Sequence, residues 1–230
     1  MKKNLKKHEL LISILLIIIY VLSNSYCIQN YGIIDYRSLI LNTLLSIIII
    51  VFIMINKLGN YYGLTSFPNP KKYLYFLPLI LMISMNLWNG ININNTKLEI
   101  LFYILNMINI GFIEEIIFRG FLFKSLEKEG INSAIIITSL SFGIGHIINL
   151  INGAPIFSTI IQICYAITGG YLFAIILYKS KSIWPCIITH SLINSLSIFN
   201  IDNILSIYIV PIFLILVSVI YSMYINKFIK

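Results

Sequence analysis

The sequence predicts an all-α, polytopic membrane helix bundle of about eight transmembrane helices, with both termini cytoplasmic. Three observations carry that prediction. Hydrophobic residues make up 59% of the 230-residue chain and charged residues only 10%, with a mean hydropathy of +0.93, a balance that excludes a water-soluble globule. Apolar runs close to the ~20 residues needed to cross a bilayer recur along the chain. Basic residues collect at alternate ends of those runs. Glycine and proline are sparse and no repeat of fixed period is visible, so residues 1–230 read as a single membrane domain.

The expected spans run roughly 10–28, 38–56, 73–90, 98–124, 132–151, 155–178, 183–200 and 203–225. The first follows Lys2, Lys3, Lys6 and Lys7, as a signal peptide would. Its length and the poor cleavage sequence Leu22-Ser23-Asn24-Ser25-Tyr26-Cys27 favour a retained helix. Spans one and two hold almost no polar side chain suited to chemistry. Lys57 to Lys72, with Gly59, Gly63, Pro68 and Pro70, reads as the longest loop. Span eight contains Pro211, an expected kink, and looks like scaffold.

With the N-terminus inside, eight crossings leave 14 of the 16 basic residues in the cytoplasm and only Arg37 and Lys97 outside. The net charge of +8 is therefore a topology signal and an attraction to anionic head groups. It predicts lipid contact and no nucleic-acid partner, because no basic stripe is interleaved with aromatics. Cys27, Cys164 and Cys186 have no paired spacing and read as small hydrophobes in or near apolar spans.

Against this apolar background one stretch stands out. Gly111-Phe112-Ile113-Glu114-Glu115-Ile116-Ile117-Phe118-Arg119-Gly120 puts two carboxylates and an arginine inside span four. Each charge costs at least ~2.5–3.5 kcal/mol near the bilayer centre, so the group must face the protein interior and have a function. Glu115 is spaced four residues before Arg119, the favoured order for a helical ion pair, and that pair alone would also serve to fix helix packing. Glu114 has Phe118 at that spacing and no cation. Adjacent residues diverge by ~100° on a helix, so the two carboxylates should not aim at one point.

Two further spans bring matching polar faces. Span five carries Ser141-Phe142-Gly143-Ile144-Gly145-His146, with Phe142 and His146 on one face and glycines that would let a neighbouring helix approach. Span seven begins Trp184-Pro185-Cys186 and carries His190 and Asn194 on one face. A carboxylate in a low-dielectric pocket suits general-base work. A histidine beside it can orient water, and a second histidine with an amide can donate to an oxyanion. No serine elbow, cysteine-protease signature or His-Glu-x-x-His is present, although Glu114, His146 and His190 would also suit one zinc ion.

In this order, Glu114-Glu115-x-x-x-Arg119, Phe142-x-x-x-His146 and His190-x-x-x-Asn194 resemble the CPBP superfamily. That superfamily includes the CAAX prenyl endopeptidases and the bacteriocin-processing or immunity (Abi) proteins. The resemblance spans residues 114–194 and implies catalytic core helices at about 98–200. It implies Glu114 as the base acting with His146 on water, Glu115 with Arg119 and Phe142 in support, and His190 with Asn194 as the oxyanion hole. It implies either no cofactor, by likeness to glutamate-dependent intramembrane peptidases, or zinc on Glu114, His146 and His190.

The reading that follows is an intramembrane CAAX-type endopeptidase, glutamate-dependent or metallo-, opening toward the cytoplasm and acting on a peptide or protein substrate. The alternative is a bacteriocin immunity protein that binds within the membrane with catalysis dispensable. A Glu/His proton relay in a small transporter is a third class, disfavoured by the lack of inverted repeats. Ile-, Asn- and Lys-rich usage suits a bacterial source, and hence a multi-pass protein of the bacterial cell membrane. One tension accompanies this reading. Counted from the cytoplasmic ends, Glu114 lies ~15 Å deep and His190 ~11 Å, but His146 lies ~20 Å or more. The three meet only if span five projects into the cytoplasm.

Overall fold

The computed structural model describes residues 8–65, 77–201, 203 and 205–228. Lys2, Lys3, Lys6, Lys7, Pro68, Pro70 and Lys72, used above for loops and topology, lie outside these. The described chain is helical throughout, with no strand among the described residues. In order, α1 is Glu9–Tyr31, α2 Tyr36–Ile55, α3 Leu77–Ser84 and α4 Lys97–Glu115. Then come α5 Phe123–Glu127, α6 Ile131–Gly145, α7 Ile148–Ile151, α8 Ile156–Ser180, α9 Trp184–Leu196 and α10 Val210–Phe228. A π-helical stretch, Ile116–Leu122, joins α4 to α5 without interruption, and a second, Leu205–Ile209, leads into α10.

Among the described residues, six helical runs are long and apolar enough to cross a membrane: Glu9–Tyr31, Tyr36–Ile55, Lys97–Glu127, Ile131–Ile151, Ile156–Ser180 and Ser206–Lys227. The other two expected spans are shorter. The third is described only over Leu77–Leu87, ~17 Å at 1.5 Å per residue against a hydrocarbon core of ~30 Å. The seventh is α9 with a 3₁₀ turn to Phe199. Pro185 sits in its first turn, and Pro185, Cys186, Ile187, Thr189, His190 and Ser191 are buried. Ile188 and Leu192, four residues apart, remain exposed on its outer side. Pro211 lies in the first turn of α10, just after the π-helical stretch, and not at a mid-helix kink.

Local chemistry sets the ends. Asp35 caps α2 by accepting from the Arg37 backbone N–H at 2.8 Å and from its guanidinium. The Arg37 side-chain hydrogen bond holds this carboxyl below the usual carboxylate range. Thr96 and Glu99 form a reciprocal capping box at the start of α4. Gly63 has φ +75°, and a Cβ there would meet the Lys181 carbonyl oxygen at 2.9 Å, so only glycine lets this loop lie against the α8–α9 turn.

The two ends of the bundle differ. At one, Gly63 accepts from the Ile183 N–H and Leu64 from the Trp184 indole, while Lys128 pairs with Glu9 at 2.5 Å. Lys57, Lys124, Lys179, Lys181 and Lys227 belong to this basic end by helix direction. At the other, Ser25 and Gln29 bond to Asn152, Asn92 to the Phe199 carbonyl and Asn89 to Asn203. The close-packed core occupies the basic half, with Ile113, Ile116, Phe121, Phe123, Leu172 and Ile175 all under 3% exposed. The outward faces of the long helices remain apolar and exposed, as lipid contact requires. Cys27 and Cys186 are buried, Cys164 is exposed, and all three are free thiols.

Candidate active site

The site forms where α4 passes into the π-helical stretch beside α1, α6 and α9. Glu115 is the last α-helical residue before that change, and π-turns of this kind recur at functional sites because they re-aim side chains. Glu115 and Arg119 are both fully buried and their side chains pair at 3.1 Å. The Arg119 guanidinium lies over the Phe142 ring, 4.3 Å from its centroid, and Phe173 flanks it at 5.7 Å. That cation–π contact offsets part of the desolvation of a cation whose Nε and Nη2 find no hydrogen-bond partner among the described residues. Gly170 makes the room: a Cβ there would stand 3.0 Å from Arg119 Nη2 and 3.3 Å from Phe142.

His190 stands between the two glutamates. Its Nδ1 is 2.8 Å from Glu115 Oε1 and its Nε2 is 3.5 Å from Glu114 Oε2. The expected divergence of adjacent carboxylates holds, and an imidazole fills the gap, one ring nitrogen to each. Sequence spacing grouped His190 with Asn194 instead. Asn194 lies one turn further along α9 and lines the same cavity as His190. Its amide makes no hydrogen bond to another side chain among the described residues.

His146 caps the C-terminus of α6, where the helix breaks into a turn before α7. It lines the same cavity as Glu114, His190 and Asn194. The Phe142 ring meets His146, His190 and Phe118 edge-on at centroid distances of 5.4, 5.7 and 5.2 Å. One aromatic residue therefore touches both histidines and the arginine. His190 lies only ~9 Å from the start of α9, yet it lines the same cavity as Glu114 and His146, which sit deeper along their own helices. Helix α5 runs on to Glu127, which leaves Glu114 ~20 Å and His146 ~22 Å from the basic ends of their helices.

Glu114 is not the unpartnered acid that its spacing implied. Tyr20, from α1, donates its hydroxyl to Glu114 Oε1 at 2.7 Å. Tyr20 is 4% exposed and shares a face of α1 with Ser13 and Glu9, at steps of seven and four. The earlier reading of span one as devoid of chemistry is corrected here. A polar stripe of Glu9, Ser13 and Tyr20 on an otherwise apolar helix was the available signal.

Close helix approach brings the parts together. A Cβ at Gly111 would overlap the Ser191 side chain and lie 2.9 Å from its backbone, so α4 and α9 touch main chain to main chain. Gly143 does the same for α6 against α8, where a Cβ would overlap Ile167 and lie 2.9 Å from the Ile163 carbonyl oxygen. Gly145 has nothing within 4 Å and lines the cavity instead.

The cavity has a volume of about 470 Å³, within the usual range of ligand sites. Glu114, His146 and His190 would be the donors for zinc, but among the described residues no three His, Cys, Asp or Glu side chains converge in a metal-binding group. In this arrangement His190 Nε2 faces Glu114 directly. The cavity also does not reach the basic end. From Glu115 to Phe123 every residue is buried, and Ile183 and Cys186 are 0% exposed. Its walls continue instead toward the opposite end, through Tyr103, Asn149, Asn152 and Ser197.

No curated protein and no solved structure gives a significant match to the chain. Residues 96–196 match the family model described as type II CAAX prenyl endopeptidase Rce1-like. The match starts at the Thr96 cap of α4 and stops at the last residue of α9. It therefore holds Glu114, Glu115, Arg119, Phe142, His146, His190 and Asn194, and through this segment the chain is similar to the CAAX-protease (CPBP) family.

Proposed function

We propose that this multi-pass membrane protein is an intramembrane endopeptidase that hydrolyses a peptide bond with water activated by Glu114 and His146. The observation that carries this reading is the convergence of Glu114, His146, His190 and Asn194 on one cavity. They come from three separate helices in a chain with few charges. Glu114 takes a proton from water while the His146 ring orients the oxygen toward the substrate carbonyl. The C–O bond forms, and the carbonyl oxygen becomes an oxyanion that accepts from the Asn194 amide and from His190 Nε2–H. Collapse breaks the C–N bond, and the proton held by Glu114 passes to the leaving amine.

Glu115 and Arg119 act as positioning residues. In this mechanism His190 is an imidazolium: its Nδ1–H donates to the Glu115 carboxylate 2.8 Å away, which fixes the ring and presents Nε2–H to the cavity. Tyr20 likewise fixes the Glu114 carboxylate at 2.7 Å. No step needs a metal. The protein belongs in a bacterial cell membrane, with a peptide or protein segment as substrate.

The test is cleavage of a membrane-reconstituted peptide library by wild type and by Glu114→Gln, each with and without chelator. The expected result is cleavage that survives chelation and falls by at least about 10³-fold in Glu114→Gln, the scale of a lost general base. Loss on chelation would overturn the metal-free mechanism. Bacteriocin protection that persists in Glu114→Gln cells, with no cleavage by either protein, would establish the immunity role instead.

A further inference from the structure

We propose that the substrate reaches this site from the non-cytoplasmic face, as an uncharged, extended peptide segment held by a vestibule of asparagine side chains. This rests on the endopeptidase reading for what is bound, but the direction of access rests on the cavity alone.

From the candidate catalytic residues the cavity reaches about one turn toward the basic end, to Phe118 and Phe173, and most of it extends the other way. On α4 its walls include Tyr103, Met107 and Ile110, all before Glu114 in a helix that runs toward the basic end. On α9 they include Ile193 and Ser197, after His190 in a helix that runs away from it. Past His146 they include Asn149 and Asn152. In the other direction the buried run Glu115 to Phe123, with Ile183 and Cys186, closes the bundle.

Charge then assigns the faces. Lys57, Lys124, Lys128, Lys179, Lys181 and Lys227 mark the closed end. The open end has Arg37 and Lys97, offset by Asp35 and Glu99. Positive-inside bias makes the closed end cytoplasmic, so the mouth faces out.

The lining names the substrate class. Asn24, Asn86, Asn149, Asn152, Asn194 and Asn200 all line this cavity, and among the described residues its only ionisable side chains besides tyrosines are Glu114, His146 and His190. Several of the amides already bridge elements: Asn149 donates to Gln162 at 2.8 Å, Asn86 to the Ile193 carbonyl at 2.6 Å, and Asn152 accepts from Ser25 and Gln29 at 2.7 Å. An amide offers both donors and acceptors, which match the alternating N–H and C=O groups of an extended chain. A lysine side chain brought into the same lining would find no counter-charge among the described residues beyond the glutamate needed for chemistry.

The experiment uses the full chain in cell membranes, with Cys164→Ser so that the remaining native thiols are buried. Single cysteines are introduced at Asn200 and Ser197 in the vestibule, and at Lys179 on the basic end. Each is exposed to a membrane-impermeant maleimide in whole cells and in inverted vesicles. The expected result is labelling of Asn200→Cys and Ser197→Cys in whole cells, and of Lys179→Cys only in inverted vesicles. A blocked, neutral Ala/Ser/Leu octapeptide added outside should slow Ser197→Cys labelling severalfold, and the same peptide with a central Lys should not.

Labelling of both vestibule cysteines only from the cytoplasmic side would overturn the proposal. So would their silence in both preparations when detergent-denatured protein labels, which would mean a mouth open to lipid. Equal protection by both peptides would overturn the uncharged-substrate assignment. None of these outcomes requires cleavage, so a failure of the peptidase reading is seen separately in the library assay.

Discussion

At the scale of single residues, the buried Glu115–Arg119 pair is where one change costs most. Both side chains are fully buried and 3.1 Å apart, with Glu115 Oε2 and two Arg119 nitrogens lacking partners among the described residues. Glu115→Gln leaves a cation uncompensated in the core, which typically costs about 3–5 kcal/mol. We expect loss of folded protein in detergent thermal unfolding, and substantial recovery in Glu115→Gln/Arg119→Met, where the stranded charge is gone too. Recovery of fold without activity would mark the pair as positioning His190 as well as stabilising the bundle. No recovery would mean that Arg119 holds the fold through Phe142 and Phe173 alone. The pairing of residues four apart was legible from spacing. Its third member, His190, was not, because contacts between helices far apart in sequence leave no local pattern.

At the scale of elements, two glycines in one motif make opposite predictions. Gly143→Val adds atoms against the Ile163 carbonyl and Ile167, so α6 must move off α8 or neighbours must leave their rotamers. Overpacking of this kind costs about 1–3 kcal/mol, and the displacement carries Phe142 and His146 with it. Gly145→Ala meets nothing within 4 Å, so its unfolding temperature should match wild type. Equal destabilisation by both would show that helix propensity, and not packing against α8, decides the site. From sequence both glycines looked like packing glycines, since small residues two apart read alike until the neighbouring helix is known. The same blindness affected span length. Hydropathy found all the long helices, but it did not show that the span expected at 183–200 is a 13-residue helix followed by a 3₁₀ turn. The π-helical stretch after Glu115 left no signal at all, because its hydrogen-bond shift is a tertiary adjustment without a residue signature.

At the scale of the whole molecule, the N-terminal helix connects the basic end to the site. Glu9, only 3% exposed, receives Lys128 Nζ at 2.5 Å and the Tyr61 hydroxyl at 3.2 Å. Burial first, and then Glu9 itself, pushes the Tyr61 phenol up, so it stays a neutral donor across the physiological range. Eleven residues on, three helical turns along the same face, Tyr20 holds Glu114. A rigid α1 thus sets the height of Tyr20 through the contacts of Glu9. Glu9→Gln weakens that tether while touching nothing in the cavity. Tyr20→Phe removes a hydrogen bond to a carboxylate, worth about 1.5–3 kcal/mol, or roughly 10- to 100-fold in rate if fully expressed in the transition state. If α1 acts as one strut, Glu9→Gln should lower kcat by a smaller factor and leave KM nearly unchanged. In the Tyr20→Phe background the same substitution should then cost almost nothing, because the hydroxyl it positions is gone. A kinetic double-mutant cycle on the purified protein measures that coupling. Multiplicative losses would mean that the tether serves stability alone and that Tyr20 is placed by its own packing.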